Sequence, residues 1–405
     1  MENKKKILII GGGYGGLRTA ITLQENLKDN EADVTLISKH DYHYQTTLLH
    51  KVAIGTLSGR KARIYFRKIL NPRKIHFIKD KIKSFNIEQK YVTGNGGKYH
   101  YDYLVIALGF RPDDFNIKGV KEYAHKLSSL NAALKLDKNI ENKFKEYCHT
   151  LDKNDLSVIV CGTGFTGIEF AAELGSRLDE LCLISGIDRS LPRVTCIGRS
   201  DRILPMFSEK GSKLAQKKLE QFGVEVINGA SVDECCENGV HITYKNGETR
   251  FIEGNTILWS TGVKGNDSVA KSSLENVKGR IKVDAYLRYP KDSSIYVVGD
   301  CAIATSRDVI HAPTAQLSAQ MGDYVARSLI KILRGESQNE VFKFKHRGTV
   351  CSIGHTDGVG VIYNNELSGE MAAFLKNFIE NKWLFGIGGL HLVFKNGQFR
   401  YRTSN

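Results

Sequence analysis

Apolar residues fall along this chain in two patterns. Continuous runs at Ile7–Ile10, Val34–Ile37, Tyr103–Leu108, Val158–Val160, Thr256–Ser260 and Ile295–Val298 read as strands buried on both faces, as in a parallel sheet. Helix-length amphipathic stretches separate several of them, the first ending near Leu27. Residues 5 to about 112 form a βαβ start, residues from about 115 to 262 repeat the plan, and the run at Ile295 returns the chain to the first domain. A shorter strand, Arg193–Ile197, is the second strand of the repeated unit. The tail from about 345 reads separately: strand-like from Gly348 to Ile362, a helix from about 369, then a Gly-rich turn and a last strand. On that helix Met371, Phe374, Leu375, Phe378 and Ile379 make one apolar stripe. The expected class is α/β, with two Rossmann-like dinucleotide-binding domains and a C-terminal region. The first domain is split, residues 1–114 and 263–344, around an inserted domain at 115–262, with the C-terminal region at 345–405.

Composition narrows the partners. At 405 residues, 41% hydrophobic and 25% charged, the chain can build two or three cored domains. The opening Met1–Lys6 leads straight into the first apolar run, too short for a signal peptide's core, so a cytoplasmic setting with reduced thiols is expected. None of the eight cysteines forms a C-x-x-C or C-x4-C pair, which excludes a ready redox disulfide and a zinc ligand pair. The net charge of +14 suits an anionic partner, and without an Arg-rich block or zinc spacing a membrane surface is preferred to nucleic acid. The longest late uncharged stretch, Trp383–Phe394, has 12 residues. A spanning helix needs about 20.

Chemistry enters with two glycine fingerprints. Gly11-Gly12-Gly13-Tyr14-Gly15-Gly16 follows the first strand, and Gly162-Thr163-Gly164-Phe165-Thr166-Gly167 follows Val158–Val160. In strand, G-x-G-x-x-G, helix order, the glycines make the tight turn, admit a pyrophosphate and let the helix pack on the strand. The helix N-terminus then faces the phosphates with unpaired N–H groups. Two such sites in one chain suggest two dinucleotides and electron transfer between them.

The order of these elements resembles the two-dinucleotide-binding-domain flavoproteins, and within them type II NADH:quinone oxidoreductase. The resemblance runs nearly end to end, through His40–His50, Gly164–Glu169, Arg202–Phe207, Val298–Cys301, Thr314–Gln320 and the tail from Leu375 to Gly389. It implies FAD, NADH or NADPH as co-substrate, a menaquinone-type quinone, no proton pumping, a peripheral site on the cytoplasmic face of the cell membrane, and a homodimer.

It also implies roles. Gly11, Gly13 and Gly16 would hold the FAD pyrophosphate, and Asp300, at a strand's edge, the ribityl chain; Asp300 could instead cap a loop. The second strand ends in Ser38-Lys39 where an acid is usual; the family accepts a lysine here, although Lys39 could be an ordinary surface residue. Thr46, Gly109 and Ala315 belong to the same cofactor set, and Gly162, Gly164, Gly167 and Gly262 to the nicotinamide side. Pro313 suits the first turn of a helix aimed at the flavin, on which Gln316 and Gln320 share one face. In the family such a pair lines the quinone pocket; without that context it is usually solvated. Glu169 is proposed in the family to aid proton transfer to the quinone, for which burial would raise its pKa; the plain alternative is a glutamate favoured by the helix dipole. Lys376 matches a family lysine near the flavin edge, with a structural or lipid contact as the alternative. The tail from 370 to 405 carries five Lys/Arg and two Glu, and with its apolar stripe suits an in-plane membrane anchor or, alternatively, a packing or dimer surface.

One position departs from the family. Where members usually carry a glutamate for the NADH ribose, this chain has Gly198, followed by Arg199. An arginine there is how such folds take NADPH; the alternative is NADH bound weakly. Three rival functions remain: sulfide:quinone oxidoreductase, for which Cys161 and Cys351 are the candidate thiols, a disulfide or ferredoxin reductase, and a non-enzymatic flavin or nucleotide sensor.

Overall fold

The computed structural model describes residues 4–306 and 309–399. They form two compact units. The first holds the chain up to Tyr44, Arg63–Arg111 and Val263–His346; the second holds Gln45–Ala62, Pro112–Gly262 and the chain from Arg347 onward. The tail that the sequence sets apart thus packs within the second unit, together with the short segment at 45–62.

In the first unit, six strands lie in the order Arg288–Tyr289, Asp292–Val297, Tyr103–Ile106, Lys5–Ile10, Ala32–Ser38 and Ile75–Lys79. All neighbours are parallel except the first pair. The order reverses at Lys5–Ile10, so the crevice beside its C-terminal end is a topological switch point, where such sheets bind ligands. Ile7, Leu8, Ile9 and Ile10 are all buried, as a strand covered on both faces requires. Helix Tyr14–Asn26 leaves this strand and crosses helix Ala315–Leu333 at a close approach. There Gly322 stands against the Gly15 carbonyl with no room for a Cβ, and Thr19 Oγ1 donates to Gly322 O at 3.2 Å.

The second unit has a five-stranded parallel sheet ordered Ala124–Lys126, Thr256–Trp259, Ser157–Cys161, Arg193–Gly198, Val224–Asn228. One face packs Ile159, Ile197, Ile257 and Trp259 against Val240, Ile242 and Ile252 of an antiparallel meander, Ala230–Cys236, Gly239–Tyr244 and Thr249–Glu253. Helix Phe165–Ser185 covers strand Thr349–Ile353, the first of a second antiparallel sheet completed by Asp357–Ile362 and Asn365–Ser368.

The tail departs from expectation. The Gly-rich turn is there, at Gly388 and Gly389, both non-helical and the latter at a left-handed φ of +66°, but helix resumes to Asn396 in place of the last strand. Leu390 and Phe394 are exposed there while Leu392 is buried, as one face of a helix requires. Helix Ala315–Leu333 likewise begins after Pro313: Thr314 is the cap, its Oγ1 accepting from Leu317 N at 3.1 Å. Among the described residues no helix is long and apolar enough to cross a membrane.

The glycine crossing gives a stability test. Gly322→Val should cost about 1–3 kcal/mol by overpacking, read by chemical denaturation, and should lower the flavin retained on purification; an unchanged midpoint would show that the helices can separate freely.

Candidate active site

Both glycine loops have the form a pyrophosphate needs. Gly11 takes φ +107° with the Ala107 carbonyl where its Cβ would be, and Gly16 lies against the Gly11 carbonyl. Gly13, by contrast, has open space before it, and as the helix cap it offers no side chain to the first N–H groups. The second loop repeats this: Gly162 at φ +126°, Gly167 against the Gly162 carbonyl, and Gly164 open at the cap of helix Phe165–Ser185. Such bare helix starts favour phosphate.

In the first unit, Asp300 sits in the turn after strand Asp292–Val297, with Ser318 Oγ donating to its Oδ1 at 3.4 Å. Loss of hydration raises its pKa, and the Ser318 hydroxyl and Arg280 oppose that rise. Gly109, at φ +67°, also has open space around its Cα. At the edge of strand Ala32–Ser38, desolvation first, then the neighbouring Arg111 and Lys81, pull the Lys39 ammonium below its ordinary value. A cation so placed suits an anionic group. These residues could hold FAD. Gln316 and Gln320 lie on helix Ala315–Leu333, but the Gln320 amide is spent: Nε2 donates to Lys345 O and Oε1 accepts from Lys345 N, both at 3.0 Å.

The second unit has a groove of about 470 Å³ at the second loop, lined by Gly162, Gly164, Gly198, Arg199, Ser200 and Gly262 among others. Gly198 ends strand Arg193–Gly198, and the Thr163 hydroxyl occupies the space a Cβ there would need. The site of the missing acid is therefore filled, while Arg199 is exposed on the rim.

Glu169 and Lys376, 207 positions apart in sequence, meet inside the second unit at 3.0 Å. Both are nearly fully buried. Glu169 Oε1 also accepts from Ser352 N at 3.1 Å and Ser352 Oγ at 3.0 Å, and its Oε2 lies 3.7 Å from His50 Nδ1. Lys376 Nζ reaches Glu380 Oε1 at 3.6 Å, and Glu380 Oε2 accepts from Gln45 Nε2 at 2.7 Å and Thr47 Oγ1 at 2.8 Å. Thr46, between them, is exposed.

Burial alone would raise the Glu169 carboxyl, as the sequence suggested. That expectation fails: Lys376, His50 and Ser352 outweigh desolvation and hold it below its ordinary value. Lys376 is raised, its desolvation overcome by Glu169 and Glu380. Burial pulls His50 down to about 4, against Glu169 and Glu173, so its ring is neutral at pH 7. The pair is thus ionised at neutral pH. Its stabilisation is lost as pH falls through the depressed Glu169 value, or rises through the raised Lys376 value.

The tail helix buries this polar cluster beside Ala372, Ala373 and Leu384 and leaves several large apolar side chains outside. Lys376 and Glu380 are 8% and 4% exposed, whereas Met371, Phe378 and Phe394 are 63%, 51% and 75% exposed. Leu375, fifth of the expected stripe, is half-buried. Arg400 and Arg402, part of the basic tail, lie outside the described residues.

A model for the pyridine nucleotide-disulphide oxidoreductases matches residues 5–319. The type II NADH:quinone oxidoreductases of Staphylococcus saprophyticus and Staphylococcus aureus are 38% identical to this chain over 403 residues, 98% of it and 100% of each relative. The chain belongs to the type II NADH:quinone oxidoreductase family. Solved structures share the fold: NDH2 from Plasmodium falciparum in complex with NADH, at TM-score 0.86 and 20% identity over 97% of this chain and 98% of that one. The sulfide:quinone oxidoreductase of Aquifex aeolicus follows at 0.78 and 21%, over 95% and 91%.

Type II membership sets the thiols aside. All eight cysteines are free. Burial, then the Glu169 charge, pushes the Cys351 thiol up, and Cys161 is buried within its strand and likewise raised, first by a hydrogen bond with the Cys235 thiol. Neither is a thiolate nucleophile at neutral pH. Sequence reasoning missed His50, Glu173, Glu380, Gln45 and Ser352. Only the i, i+4 spacings Glu169–Glu173 and Lys376–Glu380 gave a signal, and such pairs are common on solvated helices.

Lys376→Met should leave a buried carboxylate unpaired and cost about 3–5 kcal/mol at pH 8. The loss should shrink toward pH 5, where Glu169 takes up a proton. Equal losses by chemical denaturation at both pH values would contradict the pairing.

Proposed function

We propose that this protein is an FAD-dependent, non-pumping oxidoreductase that passes two electrons from NADH to a menaquinone-type quinone at the cytoplasmic face of the cell membrane, as a peripheral homodimer. The observation that carries the reading is the pair of glycine cradles, each with open ground before Gly13 or Gly164, in a chain of this family. FAD, when bound, would supply hydride uptake at N5 and the return of the electron pair to the quinone.

We assign FAD to residues 1–114 and 263–344, the nicotinamide nucleotide to 115–262 and membrane anchoring to 345–405. Gly11, Gly13 and Gly16 would admit the FAD pyrophosphate, Lys39, Thr46, Gly109 and Ala315 would contact the cofactor, and Asp300 would accept from a ribityl hydroxyl. Lys376 keeps Glu169 ionised, so Glu169 takes a proton only when charge changes nearby. Gln316 and Gln320 would donate to quinone carbonyls, Gln320 after giving up both bonds to Lys345. The outward Met371, Phe374, Phe378 and Ile379 would enter the interface of the bilayer, each adding up to about 1.5–3 kcal/mol if fully buried.

Donor choice follows from Gly198. With no acid to accept from both ribose hydroxyls or to repel a 2′-phosphate, and with Arg199 exposed beside it, NADPH is taken as well as NADH. Anaerobic stopped-flow mixing should show flavin bleaching by either donor, and colour recovery on adding menadione; no bleaching by either would overturn the function. Arg199→Ala should lower kcat/KM for NADPH about tenfold or more, the worth of a charged hydrogen bond, leaving NADH within about twofold. Gly198→Glu alone should impair both donors by collision with Thr163, and Thr163→Gly with Gly198→Glu should favour NADH. Equal effects of Arg199→Ala on both donors would contradict the assignment.

A further inference from the structure

Sheet order decides which way a dinucleotide lies in the second unit. Strand Ser157–Cys161, which leads into the glycine loop, has Arg193–Gly198 on one side and Thr256–Trp259 on the other. A pyrophosphate held at Gly162 and Gly164 sends its adenosine half toward Gly198, where such folds read the adenosine ribose. The other half then runs toward the end of Thr256–Trp259, beyond which Gly262 takes φ +74°. Both ends belong to the groove of about 470 Å³, and Phe115 lines it with its ring against Gly262.

Phe115 is out of the ordinary in exposure and in backbone. Its side chain is 46% exposed and stands where a Cβ on Gly262 would go. Its φ is +50°, and Asn116 follows at +58°. Left-handed backbone suits asparagine or glycine and strains a bulky residue. The surroundings enforce the turn. Asp113 Oδ1 accepts from Phe115 N at 3.2 Å, and Asp114 Oδ1 accepts from Asn116 N at 3.3 Å. Both acids are buried. Asp113 is tied through its backbone to the strand end: Trp259 Nε1 donates to its carbonyl at 2.8 Å, and its own N–H donates to Gly262 O at 3.2 Å. Lys121 and Lys126 lie 3.9 Å and 3.8 Å from Asp114 Oδ2. For the fold alone, asparagine or glycine at 115 would serve the turn better. Strain held this firmly, under a large apolar ring at a groove wall, marks a ligand contact.

We propose that Phe115 packs against the nicotinamide half of the donor, its ring covering the flat base that leaves the pyrophosphate on the Gly262 side. The inference rests on the reading in which residues 115–262 take the nicotinamide nucleotide. An apolar ring removes part of that base from water, and contact between two aromatic rings adds to the burial. The 2′-position lies in the other half of the molecule, so Phe115 acts on NADH and NADPH alike. It sets affinity for the reacting half, while Arg199 sets the choice of donor.

The test uses the flavin-loaded, oxidised protein and two ligands that cannot reduce it: NAD⁺, and ADP-ribose, which lacks the nicotinamide. By titration calorimetry, Phe115→Gly should bind NAD⁺ about three- to tenfold more weakly and ADP-ribose within about twofold of wild type. Phe115→Tyr should keep both affinities. Because the strain leaves with the ring, the chemical-denaturation midpoint of Phe115→Gly should be unchanged or raised, which removal of a packing residue would not give. Equal losses for both ligands, or no loss for either, overturn the assignment. So does a lowered midpoint, since the ring would then serve the fold. Should Phe115→Gly fail to hold flavin, Phe115→Leu decides with the same two ligands. Weaker NAD⁺ binding with unchanged ADP-ribose binding supports the contact, and any other pattern overturns it. A wild-type protein that binds neither ligand sinks the parent reading, and the contact with it.

Discussion

The buried ion pair between Glu169 and Lys376 governs the second unit. Two charges taken out of water cost several kcal/mol each unless they meet each other and further donors. Here Lys376 meets Glu169 Oε1 at 3.0 Å and Glu380 at 3.6 Å, while Ser352 donates to that same Glu169 oxygen and Gln45 and Thr47 serve Glu380 Oε2. The requirement turns the tail helix inside out. Its charged face must point inward, so its large apolar side chains stand outside, where a bilayer interface would cover them. One electrostatic constraint therefore sets both the ionised state of Glu169 and the surface that a bilayer interface would cover.

The nucleotide sites rest on a different constraint, the absence of side chains. Gly11 and Gly16 let strand, loop and helix close on one another, and Gly13 leaves the helix start bare. The same device recurs at Gly162, Gly167 and Gly164. Gly198 is a third case with a different outcome: its missing side chain is replaced by the Thr163 hydroxyl, so the loss of the acid and the choice of threonine in the loop are one feature.

What the sequence revealed follows from how local each requirement is. The glycine loops and the parallel strands were legible, because each is a short pattern with its own physical need. The surroundings of Glu169 were not. His50, Ser352 and Lys376 lie 119 positions before and 183 and 207 positions after it, and nothing local marks their meeting. The direction of the Glu169 shift was misread for that reason: burial was foreseeable and the ammonium was not. Gln320 shows the same limit, since its partner is the backbone of Lys345. The last strand was misread because Leu390–Phe394 is largely apolar without a readable period, and the chain resumes helix after the turn at Gly388 and Gly389.

The central claim is that the Glu169–Lys376 pair holds the tail helix in the orientation that presents its apolar face. A double-mutant cycle tests it most directly, with Glu169→Gln, Lys376→Met and the double variant compared by hydrogen exchange along Gly369–Asn396 and by sedimentation with phosphatidylglycerol vesicles. The account predicts that each single change loosens the helix and weakens vesicle binding, and that the double variant recovers part of both, because the Glu169 position no longer holds an unpaired charge. Losses that simply add would contradict it.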